Sequence, residues 1–301
     1  MAKATITNLR KKRLIFSYAM LAPGIVVLLV FTFYPIIYGL PLAFTNYSVI
    51  EDTKWVGAAN FNRMFGDPDF WKALTNSLLY VICVPVIQIL AILMAVLVNN
   101  KLRGVHFFRV AYFIPVVTSM VAAAIAWKWV YEEKGVLNYI LQSLGVIHEP
   151  ISWMALPSVA LFAAMGVTVW KGLGYYMMIY LAGLQSVPAE LQEAARIDGA
   201  SRWRVVWSIT IPLLQPFILV CTIMSVMGAV RVFDEIFVMF GPKGDPAGAT
   251  LVTGVYTYKL AFIDFNFGYA AAVGLIVSLI IMIFTILSFR FNRKGGMSYY
   301  E

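Results

Sequence analysis

Charge, cysteine and histidine are all scarce in this sequence. Only 13% of its 301 residues are Asp, Glu, Lys or Arg, and it contains two cysteines and two histidines. Cys83 and Cys221 both fall within apolar runs, and two isolated thiols make neither a disulfide framework nor a metal site. His106 and His148 lie in loops on opposite sides of the predicted bundle and cannot share an ion. The sequence therefore predicts no metal centre.

Enzyme motifs are missing as well. No G-x-x-x-x-G-K-[ST] phosphate loop occurs, and GPKGDPAG at 241–248 does not replace one, because no phosphate-cradling helix follows it. No G-x-S-x-G or H-E-x-x-H motif occurs either. We therefore expect a chain that is not an enzyme and does not hydrolyse ATP by itself. A membrane-embedded enzyme is a distant alternative that would require convergent catalytic side chains.

Long apolar runs dominate the sequence instead. Hydrophobic residues make up 61% of it, and the mean hydropathy is +0.81. A helix needs about 20 apolar residues to cross a bilayer. The sequence predicts six spans, at 14–44, 73–98, 110–131, 156–184, 211–240 and 269–290. The expected fold class is an all-α membrane protein with one six-helix transmembrane bundle over 14–290, between tails at 1–13 and 291–301. Pro23, Pro35, Pro41 and Gly228 predict kinks in the first and fifth spans.

Basic residues are concentrated on one side of this bundle. The N-terminal tail, loops 99–109 and 185–210 and the C-terminus hold fourteen of the 23 Lys and Arg residues, and the opposite loops hold seven. Because Lys and Arg accumulate in cytoplasmic loops, both termini are predicted to be cytoplasmic. The same bias accounts for most of the net charge of +8. Anionic lipid is therefore an expected partner, and nucleic acid is not.

One cytoplasmic loop carries a charged stretch, EAARIDGASRWRVVWSITIP at 193–212. A short helix is predicted from about 188 to 197, and Asp198-Gly199 is a stop and turn signal. Ser201 or Asp198 can cap a second helix. An apolar face on that helix would combine Trp203, Val206 and Trp207. The segment is either a docking element for another protein or a solvated loop resting on lipid.

The stretch also contains the pattern E-A-A, three residues, Gly, nine residues, Ile-x-hydrophobic-Pro. The matching positions are Glu193, Ala194, Ala195, Gly199, Ile209 and Pro212, with Ile211 where the family commonly has Leu. In this pattern the chain resembles permease subunits of binding-protein-dependent ABC importers. WVGAANFNRMFGDPDFWKALTNSLLY at 55–80 and FRVAYFIPVV at 108–117 look like the carbohydrate-uptake branch, specifically the first permease of maltose- or glycerol-phosphate-type systems.

The resemblance implies the type I importer permease fold in a bacterial cytoplasmic (inner) membrane. It implies that 185–212 forms a coupling helix that docks on an ATPase subunit, with Asp198 and Arg202 among its charged residues. The implied partners are a second, distinct permease, two ATPase subunits and an extracytoplasmic solute-binding protein. ATP and Mg would bind to the ATPase, and this chain would need no cofactor.

Polar residues inside two spans suggest a substrate path. Thr168, Lys171, Gly172 and Tyr175 form one helical stripe, with Trp170 beside it. A second stripe consists of Ser225, Gly228, Ala229 and Val232. Hydroxyl and aromatic groups suit a sugar, although the same small residues also suit helix packing. The resemblance places the family's sugar contacts at these positions. Its Asn-rich contacts are replaced here by Thr168, Ala229 and Val232.

A charged cluster at the end of the fifth span leaves a further alternative open. Arg231 can reach Asp234 and Glu235 at i+3 and i+4, as a structural ion pair or as part of a gate. The expected function is carbohydrate import. Lys171 suggests an anionic substrate, such as glycerol phosphate or a sugar acid, as an alternative. An ion-coupled secondary transporter that uses the Arg231 cluster is a more distant one.

The outer loops are predicted to meet the binding protein. Segment 45–72 contains five Phe and Trp residues together with glycines and a proline, which predicts a folded cap with aromatic anchors near the membrane surface. Segment 241–250 is rich in turn residues and predicts a reversal of the chain.

Overall fold

The computed structural model describes residues 2–49, 52–99 and 104–293. Helices account for nearly all of the regular structure in these residues. The first half contains α1 (Ala2–Leu28), a π-helix (Leu29–Phe33), α2 (Tyr34–Leu42), α3 (Ala59–Phe65), α4 (Pro68–Tyr80), α5 (Cys83–Val98), α6 (Val105–Val117), α7 (Met120–Val130) and α8 (Val136–Ser143). The second half contains α9 (Pro157–Gln185), α10 (Ala189–Ile197), α11 (Arg202–Val205), a second π-helix (Val206–Thr210), α12 (Ile211–Leu213), α13 (Gln215–Val230), α14 (Asp234–Phe240), α15 (Thr253–Phe262) and α16 (Phe267–Arg293).

Four helical stretches are long and apolar enough to cross a membrane. They are Lys11–Leu42, Pro68–Val98, Gln215–Phe240 and Phe267–Arg290, and the bent pair α6–α7 is a fifth candidate. The remaining predicted span, 156–184, is a single helix of 29 residues, about 43 Å long at 1.5 Å per residue. Its Lys171 and its Trp, Tyr and Gly residues make it less apolar than the others. Its crossing of the membrane stays a prediction.

The first span is exposed along most of its length, and α2 at its end contacts α16. Its apolar window is 0% buried, and Phe31 is among its exposed side chains. The prolines do not break this helix, which runs without interruption from Ala2 to Leu42 rather than over 14–44. A π-turn precedes Pro35, in which the Tyr34 amide bonds to the carbonyl of Leu29. This wider turn accommodates a proline ring that would otherwise clash with the preceding turn.

The third span is not the continuous helix predicted over 110–131. Helices α6 and α7 meet at an angle of 102° around Thr118 and Ser119. Pro115 lies in the last turn of α6 and removes one amide donor from it. The hydroxyl of Thr118 donates to the carbonyl of Ile114, at 3.1 Å. The chain is therefore sharply bent within this predicted span.

Helix α9 packs at the centre of the bundle, mainly against α5, α6 and α13. Gly174 allows close contact with α6, because an added Cβ would lie 2.0 Å from the carbonyl oxygen of Tyr112. A buried amide joins three helices. Gln88 on α5 accepts a hydrogen bond from the hydroxyl of Tyr180 on α9 and donates to Ser225 on α13, at 2.8 Å.

The outer segment after the first span is folded, as predicted. Asn60 on α3 is buried, and its side-chain amide donates to the carbonyls of Ala43 and Thr45 at 2.9 and 2.8 Å. Phe44 stacks on Trp55 with ring centroids 5.6 Å apart. These contacts hold the cap against the end of the first span.

Candidate functional site

The predicted coupling segment, residues 185–212, connects α9 to α13. Its first helix, α10, spans Ala189–Ile197 and confirms the predicted helix from about 188 to 197. Gly199 has φ +82°, so the predicted stop is also confirmed. The amide of Gly199 donates to the carbonyl of Arg196 at 3.1 Å, and the amide of Ala200 to that of Ala195 at 2.9 Å. These two bonds form a Schellman motif that ends the helix.

The second half of the coupling segment starts at Ser201. Its hydroxyl accepts the amide of Arg204 at 3.3 Å, which is the cap predicted for this residue. The side chain of Arg202 lies outside the described residues. Val205 is buried here, whereas the predicted apolar face holds Trp203 and Trp207 in exposed positions. The π-helix that starts at Val206 changes the spacing and carries Ile209, ahead of Pro212 in α12.

Helix α10 presents an uncovered surface. Glu193, Ala194 and Asp198 are exposed, and Ile197 is 86% exposed at the end of the helix. Among the side chains that the structure describes, one ion pair is formed, between Lys259 and Asp69, so the charges of α10 have no ionic partner there. A short helix with small, apolar and unpaired charged side chains on one surface suits contact with another protein.

A cavity of about 340 Å³ lies between α5, the bent pair α6–α7, α9 and α13, and we call it the membrane cavity. Seven of the nine predicted path residues line it: Thr168, Lys171, Gly172, Tyr175, Ser225, Gly228 and Ala229. The other two do not. Trp170 packs edge-on against Trp127 with centroids 5.6 Å apart, and Val232 is buried after the end of α13.

Six residues of the membrane cavity were not predicted from the sequence. They are Cys83, Val84, Ile87, Val116, Met120 and Tyr176. Five are apolar or sulfur-containing residues within apolar runs, where nothing in the sequence distinguishes a wall residue from a core residue. Tyr176 directly follows the predicted Tyr175, and the two rings meet edge to face at 5.2 Å.

The predicted cluster of Arg231 with Asp234 and Glu235 does not form. The helix ends at Val230, and Phe233 has φ −145° and ψ −61°, so the i+3 and i+4 spacing of a continuous helix does not apply. Arg231 is exposed, whereas Glu235 is 5% exposed and points into the bundle. The pairing prediction was therefore wrong.

Glu235 instead belongs to a buried polar cluster at the cavity wall. Its carboxyl oxygen Oε1 accepts hydrogen bonds from the hydroxyls of Thr168 and, at 3.2 Å, of Tyr80. The two hydroxyl oxygens lie 2.8 Å apart. Three separate helices, α4, α9 and α14, are joined by these contacts. The Glu235 carboxyl is thereby satisfied inside the protein rather than by a neighbouring cation.

The loop 241–252, which is predicted to lie on the outer side, is held against α4 by hydrogen bonds. The amide of Asn76 donates to the carbonyls of Ala249 and Leu251 at 3.0 and 2.8 Å. Lys72 donates to the carbonyl of Ala247 at 2.7 Å. These hydrogen bonds hold the loop against α4.

Known proteins resemble this chain along nearly its whole length. The lactose transport system permease protein LacF of Rhizobium radiobacter is 36% identical over 98% of this chain and 99% of its own length. The trehalose/maltose transport system permease protein MalF of Thermococcus litoralis is 33% identical over 92% of this chain and 93% of its own. The chain is also similar to a subunit in the crystal structure of a bacterial ABC transporter that imports the acidic polysaccharide alginate. That match has a TM-score of 0.82 and 25% identity over 95% of this chain and 99% of that one.

The family assignment agrees with the architecture described above. Residues 87–294 match the family described as the inner membrane component of binding-protein-dependent transport systems. The match includes the coupling segment and all residues of α9 and α13 that line the membrane cavity. The type I fold of ABC importer permeases, predicted from the sequence, is confirmed by the alginate transporter structure. This chain is therefore a multi-pass inner membrane permease of the binding-protein-dependent ABC transporter family.

Proposed function

We propose that this chain is one half of the transmembrane channel of an ATP-driven importer, which passes a carbohydrate from an outer binding protein to the cytoplasm. The observation that carries the proposal is the position of the coupling segment. It directly joins α9 to α13, and these two helices supply all seven predicted path residues that line the membrane cavity. A displacement of the coupling segment is therefore transmitted to the two cavity walls that α9 and α13 form.

The chemistry of the membrane cavity supports a carbohydrate as the substrate. Thr168 and Ser225 provide hydroxyls, and Tyr175 and Tyr176 provide aromatic rings. Sugars combine hydroxyl groups with apolar ring faces, so both kinds of side chain can contact one. The relatives are named for lactose, for trehalose and maltose, and for diacetylchitobiose. A related crystal structure is that of a bacterial alginate ABC transporter in complex with a periplasmic protein bound to an alginate pentasaccharide.

The complete transporter contains further subunits. We assign a second, distinct permease to the other half of the channel and two ATPase subunits, which bind ATP and Mg, to the cytoplasmic side. The coupling segment seats on one ATPase through Glu193, Ala194, Ala195 and Gly199, with Asp198, Arg202, Ile209 and Pro212 completing the element. Both termini are cytoplasmic, and the binding protein docks on the outer loops 45–72 and 241–268.

Transport follows from a difference in ATP affinity between two conformers. Closure of the ATPases on ATP moves the coupling segment and opens the cavity outward, and hydrolysis returns it to the inward-facing state. A ligand shifts such an equilibrium only by its differential affinity for the two states. About 5.5 kcal/mol moves a ratio of 1:99 to 99:1.

An acidic saccharide is the second candidate substrate. The observation that favours it is the similarity to a transporter that imports the acidic polysaccharide alginate. An ion-coupled mechanism, in contrast, has lost its proposed site, because Arg231 does not join the two carboxyls in the structure.

The proposal is tested by purifying the chain from its native membrane with an affinity tag. We expect a second permease and an ATPase to copurify. ATP turnover of the reconstituted complex is then measured with lactose, trehalose or maltose and the copurified or co-encoded binding protein, and one sugar should raise it. A chain that purifies alone, with no nucleotide-dependent activity, would contradict the proposal.

A further inference from the structure

The side chain of Lys171 makes three hydrogen bonds, all to backbone carbonyls at the bend between α6 and α7. Its Nζ atom donates to the carbonyl of Pro115 at 2.9 Å, to that of Val116 at 3.3 Å and to that of Thr118. An ammonium group has three donors. All of them are directed at the bend, and none remains for a molecule in the cavity.

These carbonyls are acceptors that the bend itself creates. The last four carbonyls of a helix have no amide partner within it, and the C-terminus carries partial negative charge. Helix α6 ends at Val117. The Thr118 hydroxyl satisfies the carbonyl of Ile114, and Lys171 satisfies the next two. A cation at this position is therefore bound by the helix end.

Close packing of α9 on α6 brings Lys171 to that position. One turn after Lys171, an added Cβ on Gly174 would lie 2.0 Å from the carbonyl oxygen of Tyr112 and 3.1 Å from a methyl group of Val116. The two helices thus touch through a glycine just beside the bend. The lysine side chain spans the short remaining gap to the end of α6.

The bend also shapes the membrane cavity. Val116 lies immediately before it and Met120 immediately after it, and both line the cavity together with Ser225, Gly228 and Ala229 on α13. The angle between α6 and α7 therefore sets the position of one cavity wall.

We propose that Lys171 is a positioning residue that latches the bend between α6 and α7, and that the cavity it shapes takes a neutral saccharide rather than an anionic one. This inference rests on the proposed function for the nature of the substrate. The latch itself rests on the contacts of Lys171 alone. The carboxyl of Glu235, which accepts a hydrogen bond from Thr168 in the cavity wall, offers no attraction to an anion.

The latch is tested by a distance measurement that requires no substrate. Spin labels are placed at Val110→Cys on α6 and Ile125→Cys on α7, both exposed, in the complete transporter with Cys83→Ala and Cys221→Ala. Double electron–electron resonance should give one narrow distance with Lys171 present. Lys171→Met should broaden or shift it, and Lys171→Arg, which retains charge and donors, should restore it.

Lys128→Met is the matched control, because it removes a positive charge from α7 without touching the bend. It should leave the distance unchanged. If Lys171→Met does not assemble, Lys171→Gln removes the charge while keeping an amide donor, and the same broadening is expected. An unchanged, narrow distance in the Met or Gln variant would overturn the latch.

The second part of the proposal, that the substrate is a neutral saccharide, is tested by measuring sugar-stimulated ATP turnover. The maximal rate with a neutral disaccharide should fall about tenfold in Lys171→Met, as expected for losing a charge-assisted hydrogen bond, while the KM for the loaded binding protein stays constant. Alginate trisaccharide should not raise turnover of the wild type. Stimulation by alginate that is lost in Lys171→Met would overturn the neutral assignment. The two proposals can also fail separately. If Lys171→Met disrupts a narrow wild-type distance but no saccharide raises ATP turnover, the latch is supported and the proposed carbohydrate function is refuted.

Discussion

Replacing Gly199 tests whether the shape of the coupling segment matters for coupling. The residue has φ +82°, and an added Cβ would meet nothing within 4 Å. The cost of Gly199→Ala therefore comes from the backbone alone, about 1–2 kcal/mol for an L-residue in the left-handed region. That free energy corresponds to a change of about 5- to 30-fold in an equilibrium constant. Gly199→Asn should cost less, because Asn tolerates this conformation better.

Gly199→Pro should have the largest effect. Proline fixes φ near −65° and has no amide, so the bond from Gly199 to the Arg196 carbonyl is lost together with the turn. We expect the affinity for the ATPase subunit to fall in the order Gly, Asn, Ala, Pro. Binding can be measured by titrating detergent-solubilised permease complex with purified ATPase, and coupling by the ratio of sugar transported to ATP hydrolysed.

The matched control is Gly39→Ala in α2. This glycine also has open space around its Cβ position, but its φ is not positive, so alanine should be tolerated. Normal transport by the Gly199→Pro variant would refute the assignment of 185–212 as the coupling element. Equal losses in the Gly199→Ala and Gly39→Ala variants would refute the argument from backbone conformation.

Three further predictions concern the framework around the site. Gly174→Ala should destabilise the complex by about 1–3 kcal/mol or more, seen as a lower thermal midpoint, because its Cβ would overlap the Tyr112 carbonyl; Gly274→Ala, in open space, is the control and should be neutral. Asn76→Leu removes the amide that holds Ala249 and Leu251, so limited proteolysis within 241–248 should accelerate, and an unchanged cleavage rate would refute this role. Burial acts to raise the pKa of Asp67, but hydrogen bonds from Tyr256 and Tyr269 and from helix amides outweigh it and leave the pKa below its usual value of 3.8. The resulting stabilisation is complete above that pH and is lost as the pH falls through the lowered pKa; Asp67→Asn should flatten this acid dependence in a pH series of thermal midpoints, and an unchanged dependence would count against it.

Local signals in the sequence were sufficient to predict the helix, the turn and the cap of the coupling segment. These signals are a helix start, a Gly in the left-handed region and a Ser cap. Each depends on residues only a few positions apart, so the amino-acid order determines the local structure directly. The two polar stripes also predicted most of the cavity wall, because residues at i, i+3, i+4 and i+7 share one face of any continuous helix. Trp170 and Val232, the other two predicted path residues, do not line this cavity, for geometric reasons. Trp170 lies on a neighbouring face of α9, and Val232 comes after α13 has ended.

The features that could not be predicted depend on contacts between distant residues. The break after Val230 follows Gly228 by only a few residues, but nothing in the sequence indicates that Glu235 then turns towards Thr168 and Tyr80. Lys171 bonds to backbone carbonyls, which have no side-chain identity to recognise in a sequence. Pro115 removes an amide donor from the end of α6, but a continuous helix over 110–131 was predicted. The angle of 102° also depends on Lys171 and on the packing of Gly174, which come from another helix.

Accessibility of the membrane cavity from each side tests the central claim most directly. Gly228→Cys places a thiol at an exposed position of the cavity, in a background with Cys83→Ala and Cys221→Ala. The labelling rate by a membrane-impermeant thiol reagent is measured from each side of reconstituted vesicles, with and without trapped ATP. The account predicts that ATP reverses the side from which the thiol is labelled, and that Gly199→Pro abolishes this reversal. Labelling from the same side in all nucleotide states would contradict it.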